Sequence, residues 1–170
     1  MKWGTTPEAR LAAWGGAANA IWEFLQSPLY ADFRAGAWHL AWTRLHCTAG
    51  DVLILLAAFW ITAAAARTRG WVCMPRLWQA ALFVAIGFAY TIASERFNVS
   101  IRSSWQYAPS MPKVFGIGVV PLAQWVIVPT AVLALVRVGC GGRAKQEEGA
   151  AGDEADTRGG AQASGIERSK

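Results

Sequence analysis

Four long apolar stretches, separated by short polar connections, limit what this chain of 170 residues can fold into. A helix needs about 20 largely apolar residues to cross the hydrocarbon core of a bilayer. The stretches have about this length, so we predict an all-α membrane protein built as a four-helix transmembrane bundle. The first stretch is the least regular, because Asn19, Glu23 and Gln26 interrupt it. The predicted spans are residues 11–30, 48–66, 77–94 and 114–136.

The end of the chain differs in composition from the rest. Apolar residues make up 54% of the sequence and charged residues 16%, whereas a soluble domain carries about a quarter charged residues. Residues 141–170 hold five of the 16 basic and six of the 11 acidic side chains, and they lack the apolar periodicity that a core requires. We therefore predict a transmembrane domain over residues 1–140 and a disordered cytoplasmic tail over residues 141–170.

The positive charge of the chain lies beside the apolar stretches. Without the tail, eleven basic and five acidic residues remain, and the basic ones stand between the predicted spans rather than in one run. Nucleic-acid binding requires a clustered basic patch, so no nucleic-acid partner is predicted. Basic residues that flank spans, together with ten Trp residues of which many lie near span ends, are typical of contact with a lipid bilayer.

The cysteines and the short motifs identify no cofactor and no metal. Cys47, Cys73 and Cys140 form no CxxC pair and have no metal-binding spacing. Their odd number argues against a disulfide framework, so they are predicted to be small apolar packing residues. No Gly-rich phosphate loop, GxSxG motif or HExxH motif occurs. The sequence therefore predicts no metal site, and the cofactor, if the protein uses one, stays unknown.

Two segments have alternative interpretations. The first apolar stretch follows Lys2 and Arg10 and contains an Ala-Asn-Ala triplet, as a cleaved signal peptide would. Its uninterrupted apolar core, however, is only about eight residues and includes glycines, so we predict a retained span. Residues 35–46 place Trp38 and Trp42 on one helical face, which is typical of a helix lying on the membrane surface. The alternative is that this segment continues into the second span.

Lysine and arginine are unevenly divided between the two sides of a four-span bundle. The side with both termini and the second connection has eight, and the opposite side has five. The positive-inside rule therefore predicts a multi-pass protein of the cell inner membrane with both termini in the cytoplasm. The eight are Lys2, Arg10, Arg67, Arg69, Arg76, Arg137, Arg143 and Lys145, and the five are Arg34, Arg44, Arg96, Arg102 and Lys113.

Polar residues gather at one depth of the predicted bundle, in the outer half of every span. In the first span they recur at i, i+4, i+7 and i+11, which is a single helical face. Polar and ionisable residues inside a membrane usually face the bundle interior and mark a functional site by default. They are Asn19, Glu23, Gln26 and Tyr30 of the first span, His46 and Asp51 of the second, Glu95 and Asn98 of the third, and Trp105, Tyr107, Gln124 and Trp125 of the last connection and the fourth span.

Three carboxyl groups and one imidazole carry the predicted chemistry of this cluster. Glu23, Asp51, Glu95 and His46 are the candidate catalytic residues, because neighbouring carboxyl and imidazole groups can exchange protons or hold a divalent metal. The other eight residues are candidates for substrate binding. The structural alternatives are interhelical hydrogen bonds for Glu23 and Asp51 and an ion pair with a neighbouring arginine for Glu95.

Five short motifs are similar to one group of proteins. They are Trp22-Glu-Phe-Leu-Gln-Ser-Pro-Leu-Tyr30, His46-Cys-Thr-Ala-Gly-Asp51, Glu95-Arg-Phe-Asn98, Ser104-Trp-Gln-Tyr107 and Pro121-Leu-Ala-Gln-Trp125. Together they resemble small bacterial multi-pass membrane proteins of uncharacterised activity, over residues 14–129, and the resemblance implies no particular reaction. A glutamate near a span end followed by an aromatic loop is also similar to membrane enzymes that act on isoprenoids or carotenoids.

The sequence thus predicts an integral membrane protein of unknown specific activity with an ionisable cluster in the outer half of the bundle. It leaves three specific functions open. The first is a membrane-embedded enzyme on a lipid-like or isoprenoid substrate, with Glu23 and Glu95 as acid and base. In this enzyme Asp51 and His46 orient the two glutamates or hold a metal. The second is a carrier, or carrier subunit, for protons or small solutes, against which the apolar inner halves argue. The third is a scaffold, and a homo-oligomer or a membrane-protein partner stays open.

Overall fold

The computed structural model describes residues 6–140, which are mostly helical. Three helical segments in this part of the chain are long and apolar enough to cross a membrane, whereas the first helix has sufficient length but is less apolar. The prediction of a mainly helical chain with apolar helices is confirmed, although residues 6–140 are not all-α, because they also contain a two-stranded hairpin. The tail predicted over residues 141–170 lies outside the described residues. The helices are α1 (Pro7–Gln26), α2 (Ala37–Ala66), α3 (Leu77–Glu95) and α4 (Val119–Cys140).

Helix α1 begins and ends four residues earlier than the predicted span. The hydroxyl group of Thr6 accepts a hydrogen bond from the backbone N–H of Ala9 at 3.3 Å, and Pro7 occupies the first helical position, where its missing N–H costs nothing. The chain leaves the helix before Pro28 and forms a 3-10 turn over Ser27–Leu29. Proline cannot continue an α-helix because it lacks the required donor.

Helix α2 is one continuous element, so the separate surface helix predicted over residues 35–46 is wrong and the alternative is correct. Gly36, with φ of 112°, provides the turn that precedes the helix. The helix then runs for 30 residues, which corresponds to about 45 Å. It ends at the predicted residue, where Arg67 adopts a left-handed conformation with φ of 55°.

The connection between α3 and α4 contains more structure than a loop. Helix α3 begins where predicted but continues as a π-helix over Arg96–Ile101. Strands β1 (Lys113–Val114) and β2 (Ile117–Gly118) form an antiparallel hairpin. The fourth helix therefore begins five residues later than predicted, because Gly116, with φ of 81°, turns the chain at the hairpin before the helix can start.

The apolar half of the bundle is closed by aromatic packing. Trp71 lies in the 3-10 helix Arg69–Cys73, and its ring contacts the rings of Phe59 and Phe83 at centroid distances of 5.9 and 5.6 Å. All three side chains are buried within one apolar cluster that also contains residues of α1 and α4. This half of the molecule therefore has a continuous packed core between the helices.

Two cysteines form a disulfide bond, which corrects the prediction that they are separate packing residues. Cys73 and Cys140 are 67 residues apart in sequence, and their Cα atoms are 5.7 Å apart. The bond joins the connection between α2 and α3 to the end of α4, whereas Cys47 is free. Sequence spacing gave no sign of this pair, because the contact depends on how the helix ends meet. We call this end of the bundle the disulfide end.

Candidate functional site

Polar side chains from α1, α2 and α4 meet in a hydrogen-bonded group at the end of the bundle opposite the disulfide. The Gln124 amide donates from Nε2 to Asn19 Oδ1 at 2.9 Å and to Asp51 Oδ2 at 3.0 Å. Gln26 donates from Nε2 to Glu23 Oε1 at 2.7 Å. Apart from the half-buried Asp51, these side chains are buried. The i, i+4, i+7 spacing in α1 therefore brings its polar residues together with those of two other helices.

Arg44 contributes the buried positive charge of this group, and sequence reasoning counted it only as a loop charge. Its Nη2 atom is 2.6 Å from Asp32 Oδ1 and its Nη1 atom is 3.7 Å from Glu23 Oε2. The guanidinium also lies 4.8 Å from the ring centroid of Tyr30, a cation–π distance. Continuing α2 back through residues 35–46 would have revealed Arg44, since it precedes Asp51 by seven residues on the same helical face.

Glu95 has a phenol as its partner, and not a neighbouring arginine as in the structural alternative. The Tyr107 hydroxyl donates to Glu95 Oε2, and the Gly118 backbone N–H donates to the Tyr107 oxygen at 3.0 Å. Among residues 6–140, no ion pair of Glu95 occurs. Burial, together with the hydrogen bond to Glu95, raises the pKa of Tyr107 above its usual range. The phenol therefore keeps its proton and acts as a donor.

The connections on both sides of the site are tied to each other through their backbones. Tyr30 and Tyr107 form an isolated antiparallel bridge, and their ring centroids are 5.7 Å apart. The Ala31 N–H donates to the Gln106 carbonyl and the Ala108 N–H donates to the Leu29 carbonyl, both at 2.9 Å. This bridge fixes Tyr107 over the end of α3 and thereby positions the donor of Glu95.

These residues surround a cavity of about 450 Å³, and the end of the bundle that contains it is called the cavity end. Ten of the twelve predicted site residues line the cavity. The other two, Asn19 and Tyr107, lie behind lining residues and donate or accept hydrogen bonds with them. The ten are Glu23, Gln26, Tyr30, His46, Asp51, Glu95, Asn98, Trp105, Gln124 and Trp125.

The two histidines have different positions. Both are exposed, but His46 lines the cavity, whereas the Nε2 atom of His39 lies 3.6 Å from Asp32 Oδ2. Within residues 6–140, His, Cys, Asp and Glu side chains form no group of three or more that could hold a metal ion. The hypothesis that Asp51 and His46 hold a metal therefore has no geometric support in this part of the chain.

The arrangement places three carboxyl groups from three helices around one space, each with different partners. Glu23 faces a guanidinium and an amide, Asp51 an amide, and Glu95 a phenol. Such groups can accept or donate protons at a bound molecule, provided that it reaches within hydrogen-bond distance. The walls also include the rings of Trp105 and Trp125, so the cavity can accommodate a molecule with both polar and apolar parts. Comparison of the chain with protein-family models, with curated proteins and with solved structures gives no match.

Proposed function

We propose that this chain is a multi-pass protein of the inner membrane that takes a lipid-like substrate into the cavity. Glu23 and Glu95 act there as acid and base on the polar part of the substrate. The observation that carries the proposal is the convergence of Glu23, Asp51 and Glu95 on one cavity. Ionisable groups are expensive inside a membrane and are retained where they perform a function.

The shape of the cavity supports access from the side of the bundle. Cys47, Gly50 and Ile54 line it along one face of α2, and Tyr90 and Ser94 line it along α3. A Cβ atom built on Gly50 would have no heavy atom within 4 Å, and Tyr90 is 53% exposed. An amphiphile dissolved in the bilayer can therefore approach between α2 and α3 without first entering water.

The two glutamates have different surroundings, and their proposed roles differ accordingly. Glu23 is held by Gln26 and faces Arg44, so its charged form has a compensating cation. Glu95 has the neutral donor Tyr107 and faces the cavity. In the proposed function Asp51, fixed by the Gln124 amide, orients the polar part of the substrate between the two glutamates.

The two alternative functions, carrier and scaffold, require different features of the structure. A carrier requires a path to both faces, and the apolar cluster around Trp71 and Phe59 fills the bundle beyond the cavity. A scaffold needs hydrogen bonds such as those of Gln124 with Asn19, but it does not need a cavity. The scaffold nevertheless predicts a specific result, a loss of abundance when the polar residues are changed.

The test compares lipid extracts by mass spectrometry from cells that produce the full chain or its variants. We expect at least one lipid species to change with the wild-type protein and to return to its original level with Glu23→Gln and Glu95→Gln. Both variants should accumulate in the membrane as the wild type does. Glu8→Gln, the same chemical change at the disulfide end where Glu8 pairs with Arg69, is the matched control and should behave as the wild type.

Two results would contradict the proposal. Variants that lose abundance in proportion to their lipid effect would support the scaffold instead. A wild-type protein that changes no lipid species at full abundance would exclude the proposed substrate class, and variants that change the lipid as the wild type does would exclude the proposed roles of Glu23 and Glu95. A separate measurement, the resistance of the protein to extraction from membranes by alkaline carbonate, tests the membrane location by itself.

A further inference from the structure

The Cys73–Cys140 disulfide indicates which kind of compartment surrounds its end of the bundle. The bond joins the short connection between α2 and α3 to the last described residue of α4. Both residues lie at helix ends, at the level of Glu8 and Arg69, which form an ion pair at this same end. If the helices cross a membrane, the disulfide therefore lies on one side of it.

A stable disulfide requires an oxidising compartment. Its formation breaks two S–H bonds and makes one S–S bond. Two electrons and two protons pass to the disulfide of a thiol oxidase, which is thereby reduced to two thiols. Bacteria maintain such oxidants in the compartment outside the inner membrane, whereas the cytoplasm keeps thiols reduced.

The basic residues favour the opposite assignment by eight against five. This margin comes from Lys2, Arg143 and Lys145, which precede α1 or follow residue 140. Between residues 6 and 140, five Lys and Arg residues lie at each end. The charge count and the disulfide therefore point to opposite orientations, and the disulfide is the stronger constraint because it requires an oxidant.

We propose that the disulfide end faces the oxidising side of the membrane and that the cavity opens on the cytoplasmic side. This orientation is the reverse of the one predicted from charge, and it rests on the proposed function in one respect, namely that the helices cross a membrane. It also extends the proposed function, because water-soluble cosubstrates of the cytoplasm would then reach Glu95 and His46 directly.

The first measurement counts disulfide-bonded cysteines in cells that produce the full chain. Cells are quenched with acid, free thiols are blocked under denaturing conditions, disulfides are reduced, and the new thiols receive a heavy maleimide tag. We expect two tags on each wild-type chain and none on Cys73→Ser or Cys140→Ser, since either change leaves the other cysteine free to be blocked. A wild-type chain without tags would overturn the proposal.

The second measurement determines the sides, with a membrane-impermeant maleimide added to intact cells. Cys140→Ser leaves Cys73 as a free thiol, which we expect to be labelled without permeabilisation. Ser110→Cys places a thiol on the exposed connection at the cavity end, and we expect it to be labelled only after permeabilisation. The wild-type chain is the control for labelling of Cys47.

The reverse labelling pattern would overturn the proposal even if the disulfide forms, because the bond would then lie on the cytoplasmic side. These outcomes are distinct from failure of the proposed function. The comparison of the wild type with Glu23→Gln and Glu95→Gln has the same readout in either orientation, and carbonate extraction tests the membrane location alone.

Discussion

Gln124 is the residue on which most of the buried hydrogen bonds of the site converge. It donates to Asn19 and Asp51, and its own Oε1 atom is 3.4 Å from the amide nitrogen of Gln26. Its side chain is almost fully buried, at 2% exposure. A single carboxamide thus joins α4 to α1 and α2 at the depth where apolar contacts give way to polar ones.

Replacing Gln124 by Leu should destabilise the protein by about 1–3 kcal/mol, because Asn19 and Asp51 would keep their burial and lose a donor. Thermal unfolding of the detergent-solubilised protein measures the effect. Val126→Leu, on the same helix at a largely exposed position, is the control and should leave the midpoint unchanged. If both variants had the same thermal midpoint, the hydrogen bonds of Gln124 would make no net contribution to stability.

Replacing Tyr107 by Phe removes the donor of Glu95 and the acceptor of the Gly118 N–H, while the ring contact with Tyr30 remains. Because burial holds the pKa of Tyr107 high, the phenol donates throughout the physiological pH range. We expect the lipid change to be lost in Tyr107→Phe and kept in Tyr90→Phe, which alters an exposed tyrosine of the same cavity. Full retention in Tyr107→Phe would exclude a role for this donor.

At the residue scale, helical periodicity was sufficient to identify the cluster but not its full composition. The spacing of Asn19, Glu23 and Gln26 predicted one face, and the structure brings that face to Asp51 and Gln124. The buried Arg44 was missed because its segment was assigned to the membrane surface. A charged residue can be recognised as buried from sequence only when the helix that carries it has been identified correctly.

At the scale of the elements, the proposed access to the cavity lies between α2 and α3. Gly50→Leu should fill the space beside this glycine, since no heavy atom lies within 4 Å of its built Cβ. Cys47 lines the same cavity and reports on access. We expect its labelling by a small membrane-permeant maleimide to slow several-fold, whereas Ala64→Leu, exposed on the same helix, should have no effect. Unchanged labelling would place the access route elsewhere.

The packing of α3 against α4 depends on Gly87. A Cβ atom at this position would overlap the ring of Trp125, whereas one at Gly15 would meet only Cδ1 of Leu55, the end of a flexible side chain, at 2.6 Å. We expect Gly87→Ala to cost about 1–3 kcal/mol through overpacking and Gly15→Ala to cost less. Thermal unfolding of the two variants compares them directly, and a larger effect at Gly15 would contradict the assigned packing.

The ends of the helices show which boundaries the sequence patterns predict and which they do not. The end of α2 and the start of α3 were predicted to the residue, because apolar stretches there meet Arg67 and Arg76 abruptly. The start of α4 was misplaced, because residues 114–118 are as apolar as a helix but form a hairpin around Gly116. The disulfide was missed because its formation depends on tertiary contacts.

For the whole molecule, the disulfide encloses α3 and most of α4 in a covalent loop with a sequence separation of 67 residues. The chain-entropy description assigns a stabilisation of about 4 kcal/mol to a loop of this length. Cys140→Ser should therefore lower the thermal midpoint, and reductant should lower the wild type to the same value while leaving the variant unchanged. Equal midpoints for the oxidised wild type and the variant would show that the native helix contacts suffice.

The packed apolar half around Trp71, Phe59 and Phe83 also has an electrical consequence. A transmembrane voltage falls mainly across the region of lowest polarisability, and moving one charge through it costs about 2.3 kcal/mol per 100 mV. If the helices span the membrane as proposed, this core insulates the two compartments, and the cavity stays at the potential of the compartment into which it opens. Protons that reach Glu23 or Glu95 then do no work against the voltage, so the rate of the proposed lipid reaction should not change when an ionophore collapses the membrane potential.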